Sequence, residues 1–278
     1  MTGKIYSINS GKYYIKENNN MHILPAAGIF RHKKITPLVG DNVEFENEQY
    51  ITKILPRKNE FIRPKVANID HIIVVMSIKE PEFSSYLVDK YLSFIENSNV
   101  EPIIFFTKND LAKSEWPEIY QKLGYKIAKI NYKSNEWINI VKKYFKNKTC
   151  TLMGQSGVGK TTIINKITSQ NFETQEISKN ANRGKHTTRI VQIVDVLDGW
   201  LIDTPGFSSF EHKMSKIEIA HSFKQFRELS KLCKFKSCLH LNEPENLCNI
   251  KINVKNKNIP EFRYQNYLKI LKEVKDEY

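Results

Sequence analysis

GQSGVGKTT at residues 154–162 follows an apolar run, KTCTLM, and precedes a segment of helical character, TIINKITSQ. From Gly154 to Thr161 it fits G-x-x-x-x-G-K-[ST], and a strand before with a helix after is the context that pattern needs. The glycines let the backbone curl, so that N–H groups along Gly154, Gln155, Ser156, Gly157, Val158 and Gly159 face a phosphate. They do so at a helix N-terminus already favourable to anions. Lys160 is placed to bridge β- and γ-phosphate oxygens, Thr161 to ligate Mg²⁺, and Thr162 to complete the loop. A glycine-rich turn could match by chance, but the flanking strand and helix argue against that. The stretch predicts a nucleoside triphosphate site on an α/β sheet.

Downstream, Asp203-Thr-Pro-Gly206 follows the strand-like WLI. An Asp at a strand end can hold the Mg²⁺ shell, and Gly206 can offer its N–H to the γ-phosphate. DTPG is also a good turn on its own; beside a phosphate loop the functional reading is stronger. Between the two motifs lies NRGKHTTR (182–189), where Thr187 or Thr188 could bind Mg²⁺ and sense the γ-phosphate. After Gly206 comes Phe207, where a Ras-like GTPase has a water-orienting Gln. A phenyl ring cannot orient water by hydrogen bonding, so hydrolysis needs another group or a partner. His186 is the candidate, with a role in shaping the segment as the alternative.

Upstream, FFTKNDL at 105–111 closes the strand-like PIIFF. The Asp110 carboxylate could accept from both N1–H and N2–H₂ of guanine, a donor pair that adenine lacks. The stem of Lys108 can lie along the base. The usual motif is N-K-x-D; here Thr107, Lys108, Asn109 and Asp110 stand in those places, and Thr107 lacks the amide that steadies the pocket. K-x-D alone is common, but a position at the end of a parallel-type strand raises it. Base reader before phosphate loop is the reverse of the usual order. It is what a cut and rejoined chain produces, if strand and helix units keep their places in the sheet.

Outward from these motifs the pattern changes. Residues 1–60 hold five short strand-like runs, KIYSI, KYYIK, HILPA, DNVEF and QYITKIL, separated by turn residues. They suggest a small antiparallel barrel, of OB type or SH3-like. PRKNEFIRP (56–64), with a proline at each end, reads as a linker. From 71 to 203 apolar strands alternate with helical segments, the signature of a three-layer α/β sheet. After 211 the strands stop. HKMSKIEIAHSFKQFREL reads as one helix, and a final amphipathic helix carries Phe262, Tyr264, Leu268, Leu271 and Val274 on one side. Between them Cys233, Cys238, His240 and Cys248 fall within 16 residues. Three thiolates and an imidazole saturate a tetrahedral Zn²⁺ and leave no open position for water, so the site would be structural. Cysteines packed as small hydrophobes are the alternative.

The formal charge of +13 invites a polyanionic partner, although 36 lysines against 7 arginines are also what A/T-rich coding sequence produces. The excess sits on the flanks: +5 over residues 1–65, +3 over 66–210 and +5 over 211–278. Arg31, Lys33 and Lys34 in the first flank, and Lys234 and Lys236 in the last, are the candidate RNA contacts, with a solvated surface as the alternative. No run approaches a membrane span, and residues 1–20 lack the apolar core of a secretory signal. A cytoplasmic monomer is expected.

Together, VGDNVEF, PRKNEFIRPKVANID, GQSGVGKTT, GKHTT, IDTPGFSSF and the C-x4-C-x-H element resemble the circularly permuted GTPases. Among these the chain is most similar to the ribosome small-subunit-dependent GTPase A family. The resemblance implies an OB-fold over 1–62, a permuted GTPase domain over 63–210 and a helical zinc-binding domain over 211–278. It also implies GTP hydrolysis to GDP and phosphate stimulated by the small ribosomal subunit, docking on that subunit and its rRNA, and a role in its late maturation. There are departures from the pattern. Thr107 replaces Asn, INYKSNEW lacks the small-residue loop that packs near guanine, and Cys248 follows His240 by eight residues rather than six.

Overall fold

The computed structural model describes residues 1–28, 30, 35–46, 49–62, 64–172, 191–203 and 214–274. Its first five strands are β1 (Thr2–Asn9), β2 (Lys12–Glu17), β3 (Asn20–Leu24), β4 (Asn42–Phe45) and β5 (Ile51–Ile54). β1 pairs antiparallel with both β2 and β4, β2 with β3, and β4 with β5. A parallel bridge between Ala26, just past β3, and Ile51 closes the ring in the order 1-2-3-5-4-1. Ile5, Ile15, Leu24, Val43, Phe45 and Ile51 point inward as its core, as strand alternation requires.

The proline-flanked stretch after β5 is more than a linker. It contains β6 (Glu60–Phe61), which pairs with β7 (Val66–Ala67), and it is bolted to the barrel. Arg57 donates to both carboxylate oxygens of buried Asp41, at 2.8 and 2.7 Å, and to the Thr36 carbonyl at 2.7 Å. Such a planar, two-pronged contact is the geometry that favours arginine. Asn68 spans Lys58 N–H and the Gly40 carbonyl. Gly40 has φ +94°, and a Cβ there would lie 2.1 Å from the Ala67 carbonyl oxygen, so only glycine fits.

The nucleotide-type unit follows as β8 (His71–Ser77), α1 (Ser85–Asn97), β9 (Glu101–Thr107), α2 (Trp116–Lys122), β10 (Lys126–Lys129) and α3 (Glu136–Phe145). It continues as β11 (Thr149–Met153), α4 (Lys160–Phe172), β12 (Gln192–Val196) and β13 (Gly199–Asp203). The sheet order is β10-β9-β8-β11-β13-β12-β1-β2-β3. The first five of these strands are mutually parallel and β12 is antiparallel to β13. All seven residues of β8 are buried, as a parallel strand covered on both faces requires. Ile73 and Val75 pack toward α3 and α4, while Ile72, Val74 and Met76 face the cluster holding α1, α2 and the C-terminal helices.

The barrel joins this sheet through β1. A bulge at Tyr6 breaks the register between Ile5 and Ser7 and accompanies a bond from the Tyr6 hydroxyl to Asp195 on β12 at 2.7 Å. Ser7 pairs with Gln192, which in turn pairs with Asp203.

The segment expected as a single helix from 211 divides into α5 (Lys216–Ser222) and α6 (Lys224–Leu229), because Phe223 is extended (φ −67°, ψ 124°). A capping box between Ser215 and Glu218 starts α5. α7 (Asn249–Lys255) and α8 (Glu261–Glu273) complete the chain. The buried stripe of α8 is Arg263, Asn266, Tyr267, Ile270 and Leu271. Of the residues expected on the core side, Leu271 is buried in that stripe, while Phe262, Tyr264, Leu268 and Val274 are only partly buried beside it.

Arg263 is fully buried, 3.7 Å from Asp89 of α1, and donates twice to the Tyr125 hydroxyl at 3.2 Å. Tyr125 donates to Glu96 at 2.7 Å, and Asn266 to Asp89 at 2.7 Å. The C-terminal unit therefore packs into the same apolar cluster as the sheet and is tied to α1 by this polar network.

Candidate nucleotide site and metal centre

The parallel strands end at one edge, where β8, β9, β10, β11 and β13 deliver Ser77, Thr107, Lys129, Met153 and Asp203. Ligands of open α/β sheets bind outside such strand ends. The phosphate loop leaves β11 through Gly154 (φ +150°), where a Cβ would sit 2.3 Å from the Val75 carbonyl oxygen. Gly157 and Gly159 also have positive φ, at +81° and +101°. α4 begins at Lys160, with Thr161 and Thr162 exposed on its first turn. The Lys160 ammonium donates to the Gly154 and Gln155 carbonyls, both at 2.5 Å, and so lies across the mouth of the loop. Burial lowers its pKa.

The segment expected to read the base meets this loop. Thr107, fully buried, donates its hydroxyl to the Val158 carbonyl at 2.6 Å. Where the usual motif has an Asn amide, the Thr107 hydroxyl thus ties residues 107–110 to the loop. Lys108 has φ +55°, and its ammonium donates to the Glu80 carbonyl. Asn109 donates to the Phe106 and Ile130 carbonyls at 2.6 and 3.3 Å, bracing the turn against β9 and β10. Asp110 is left at the rim, 3.6 Å from the Lys133 ammonium.

Two residues of this site carry no recognisable motif. Tyr132 and Lys133 lie in the turn after β10, the stretch in which no base-packing loop was legible. Tyr132 donates to the Gly159 carbonyl at 3.1 Å, and Lys133 faces Asp110. The only signal in the sequence was their place after a parallel strand.

Asp203 ends β13 at the same edge, while Gly206, His186, Thr187, Thr188 and Phe207 lie outside the described residues, as do Arg31, Lys33 and Lys34. Lys234 and Lys236 are exposed.

At the other end of the chain, the ligand atoms of Cys233, Cys238, His240 and Cys248 lie within 4.8 Å of one another. His240 Nδ1 faces Cys248 Sγ at 3.4 Å and Cys233 Sγ at 3.8 Å. His240 adopts φ +53°, and the backbone around it is held from outside. Tyr264 donates to its carbonyl at 2.7 Å, while Glu243 accepts the Leu239 and Leu241 N–H groups at 2.7 and 2.8 Å. Burial pushes the imidazole down to about 4, which keeps it neutral as a ligand must be. Burial raises the Cys238 and Cys248 thiols, a cost that a divalent cation at the centre would reverse. The donor set fits a closed four-ligand metal site.

Comparison with known proteins agrees with this geometry. The family model for the RsgA GTPase matches residues 54–213, and that for the RsgA N-terminal domain matches residues 2–51. A small ribosomal subunit biogenesis GTPase RsgA from Mycoplasmopsis agalactiae is 66% identical, with 100% of this chain and 99% of the relative covered. Its counterpart from Mycoplasmopsis pulmonis is 47% identical over 99% of this chain and 100% of its own length. Among solved structures, YloQ, described as a circularly permuted GTPase, superposes with a TM-score of 0.82 at 33% identity, covering 100% of this chain and 96% of its own. YjeQ from Thermotoga maritima gives 0.84 at 31%, covering 100% and 99%. With residues 107–110 ahead of the Gly154–Thr161 loop and both at one sheet edge, the chain belongs to the RsgA family of circularly permuted GTPases.

Proposed function

We propose that this chain hydrolyses GTP while bound to the small ribosomal subunit and assists that subunit's biogenesis, in the cytoplasm and as a monomer. Asp110 and Lys108 read guanine, Thr107 and Asn109 hold the reader, and the loop from Gly154 to Thr162 holds phosphates, with Lys160 neutralising their charge. Mg²⁺ would be held by Thr161 and Asp203, with Thr187 or Thr188, and would polarise the phosphate oxygens. His186 is the candidate for orienting the attacking water, and Gly206 for sensing the γ-phosphate. The metal at Cys233, Cys238, His240 and Cys248 is proposed to be a structural zinc, on the strength of its soft, saturated donor set.

Three domains are proposed: a barrel over 1–62, the GTPase unit over 63–210 and the metal-stapled helical unit over 211–278. The closure order 1-2-3-5-4-1 supports an OB-type barrel. Arg31, Lys33 and Lys34 on the first flank, and exposed Lys234 and Lys236 on the last, are the proposed rRNA contacts. One observation supports the reading: Thr107 bonds to Val158, which brings the proposed guanine reader and phosphate loop together despite their reversed order. Phosphate release should be measured with and without purified small subunits, and absence of stimulated turnover would sink the proposal. ATP competing equally with labelled GTP would defeat the guanine assignment.

A further inference from the structure

The turn at residues 131–134 is anchored on both sides of the nucleotide pocket. On the base side, Ile130 N–H donates to the Phe106 carbonyl at 2.7 Å, and Asn109 donates back to the Ile130 carbonyl. The turn itself is stiffened by the Asn131 side chain, which accepts the Lys133 N–H at 3.0 Å. On the phosphate side, the Tyr132 hydroxyl donates to the Gly159 carbonyl at 3.1 Å. That carbonyl also takes the first helical bond of α4, from Ile163 N–H at 3.0 Å. A Cβ on Gly159 would come 2.4 Å from the Tyr132 oxygen, so this glycine makes room for the hydroxyl as well as supplying its φ of +101°. From α4, Lys166 reaches back to the Tyr132 carbonyl at 3.3 Å. The ring stands edge-on to Trp137 at 6.2 Å, which fixes its direction. Burial pushes the phenol up to about 12, so it remains a donor at neutral pH.

We propose that Tyr132 is a positioning residue for nucleotide retention, its hydroxyl holding the last peptide of the phosphate loop at a fixed distance from the strand ends that read the base. A nucleotide is a two-headed ligand whose base and phosphates bind separate half-sites. Its affinity depends on those half-sites being held at the matching separation before it arrives. Thr107 supplies one tie, from β9 to Val158. Tyr132 supplies a second, from the turn after β10 to Gly159, and so removes the hinge that a single tie would leave.

The inference rests on the reading of this pocket as a guanine-nucleotide site, and the test separates the two. Release of fluorescent GDP from the full chain is followed in wild type and in Tyr132→Phe, which keeps the ring and removes the donor. Release should quicken roughly fivefold, the scale of one neutral hydrogen bond. GDP and GTP analogues should be affected alike, with KM raised and kcat at saturating GTP held within about twofold. The melting temperature without nucleotide should match wild type. Unchanged release would overturn the proposal, as would a faster release matched by an equal loss of unliganded stability. A wild-type chain that fails to retain GDP would instead overturn the guanine-nucleotide reading itself.

Discussion

The Thr107 hydroxyl lies 2.6 Å from the Val158 carbonyl oxygen, a bond between residues 51 positions apart that joins the two segments of the proposed nucleotide site. Thr107→Val keeps the shape and removes the donor, leaving a buried carbonyl unpaired at a cost of about 1–3 kcal/mol. GDP and GTP affinities should both fall, by about tenfold. Guanine preference over adenine should persist, because Asp110 is untouched. Equilibrium titration with fluorescent guanine and adenine nucleotides checks both expectations.

Arg263 and Asp89 form a fully buried pair between α8 and α1. Removing one partner of such a pair strands the other, and typically costs about 3–5 kcal/mol. Arg263→Met should therefore destabilise the chain strongly in urea denaturation. Adding Asp89→Leu should recover much of the loss, because the stranded charge is then gone. A double variant no better than the single one would show that the rest of the network is the main source of stability.

Glu96 is buried, and burial raises its carboxyl above the ordinary value of 4.5 despite the Tyr125 hydrogen bond and the nearby Arg263 and Arg227 charges. A carboxyl raised on folding holds its proton more firmly in the native state. Its contribution to stability is therefore greatest at low pH and falls as pH rises through the raised value. Glu96→Gln retains an acceptor for Tyr125 and should flatten that part of the pH–stability curve between 4.5 and neutrality. At pH 7 the variant should be no less stable than wild type, which thermal melts across that range can show.

The cysteine–histidine cluster shares its apolar surroundings with the sheet, since Cys238 and Cys248 pack with Phe226 and Tyr267 in the cluster that also holds Met76 and Phe106. Native mass spectrometry should find one zinc per chain. Stripping it with a chelator, or Cys248→Ser, should lower the melting temperature of the whole chain rather than free a separate tail. An apo chain melting like the metal-loaded one would contradict the staple.

Between Cys233 and Cys238 the residues 234–237 are all exposed, Phe235 at 46% among them, and Leu232 stands 73% exposed beside them. Two lysines alternating with an aromatic ring suit a nucleic-acid surface. Lys234→Glu with Lys236→Glu should weaken small-subunit binding and make its salt dependence shallower, with GDP affinity unchanged. Sedimentation with purified subunits at two salt concentrations reads both effects.

Much of the site was legible because its chemistry is local. Three glycines, Lys160 and Thr161 must be close in sequence to make a phosphate loop, and each glycine has the positive φ that its role demands. Thr107 through Asp110 were legible by their place after a strand. Tyr132 was not, because its partner Gly159 is 27 residues away and a single hydroxyl leaves no pattern. The α8 face was read only in part, with Leu271 correct, for a related reason. Arg263 and Asn266 occupy its buried stripe, bonded to Tyr125 and Asp89 from distant elements, so hydrophobic periodicity pointed partly to the neighbouring stripe. The extended Phe223 that splits α5 from α6 likewise has no proline or glycine to announce it.

The sheet order also bears on how the chain is made. β8, β9 and β10 are neighbours in sequence and in space, so the base-reading half can assemble while later residues are still being added. β11 then adds beside β8, and β13, which comes later in the chain, adds on the far side of β11. A growing chain thus acquires Asp110 fifty residues before Lys160. Asp203, at the end of β13, is the last of the described candidate nucleotide-site residues to be made, so that candidate site is complete only late in synthesis.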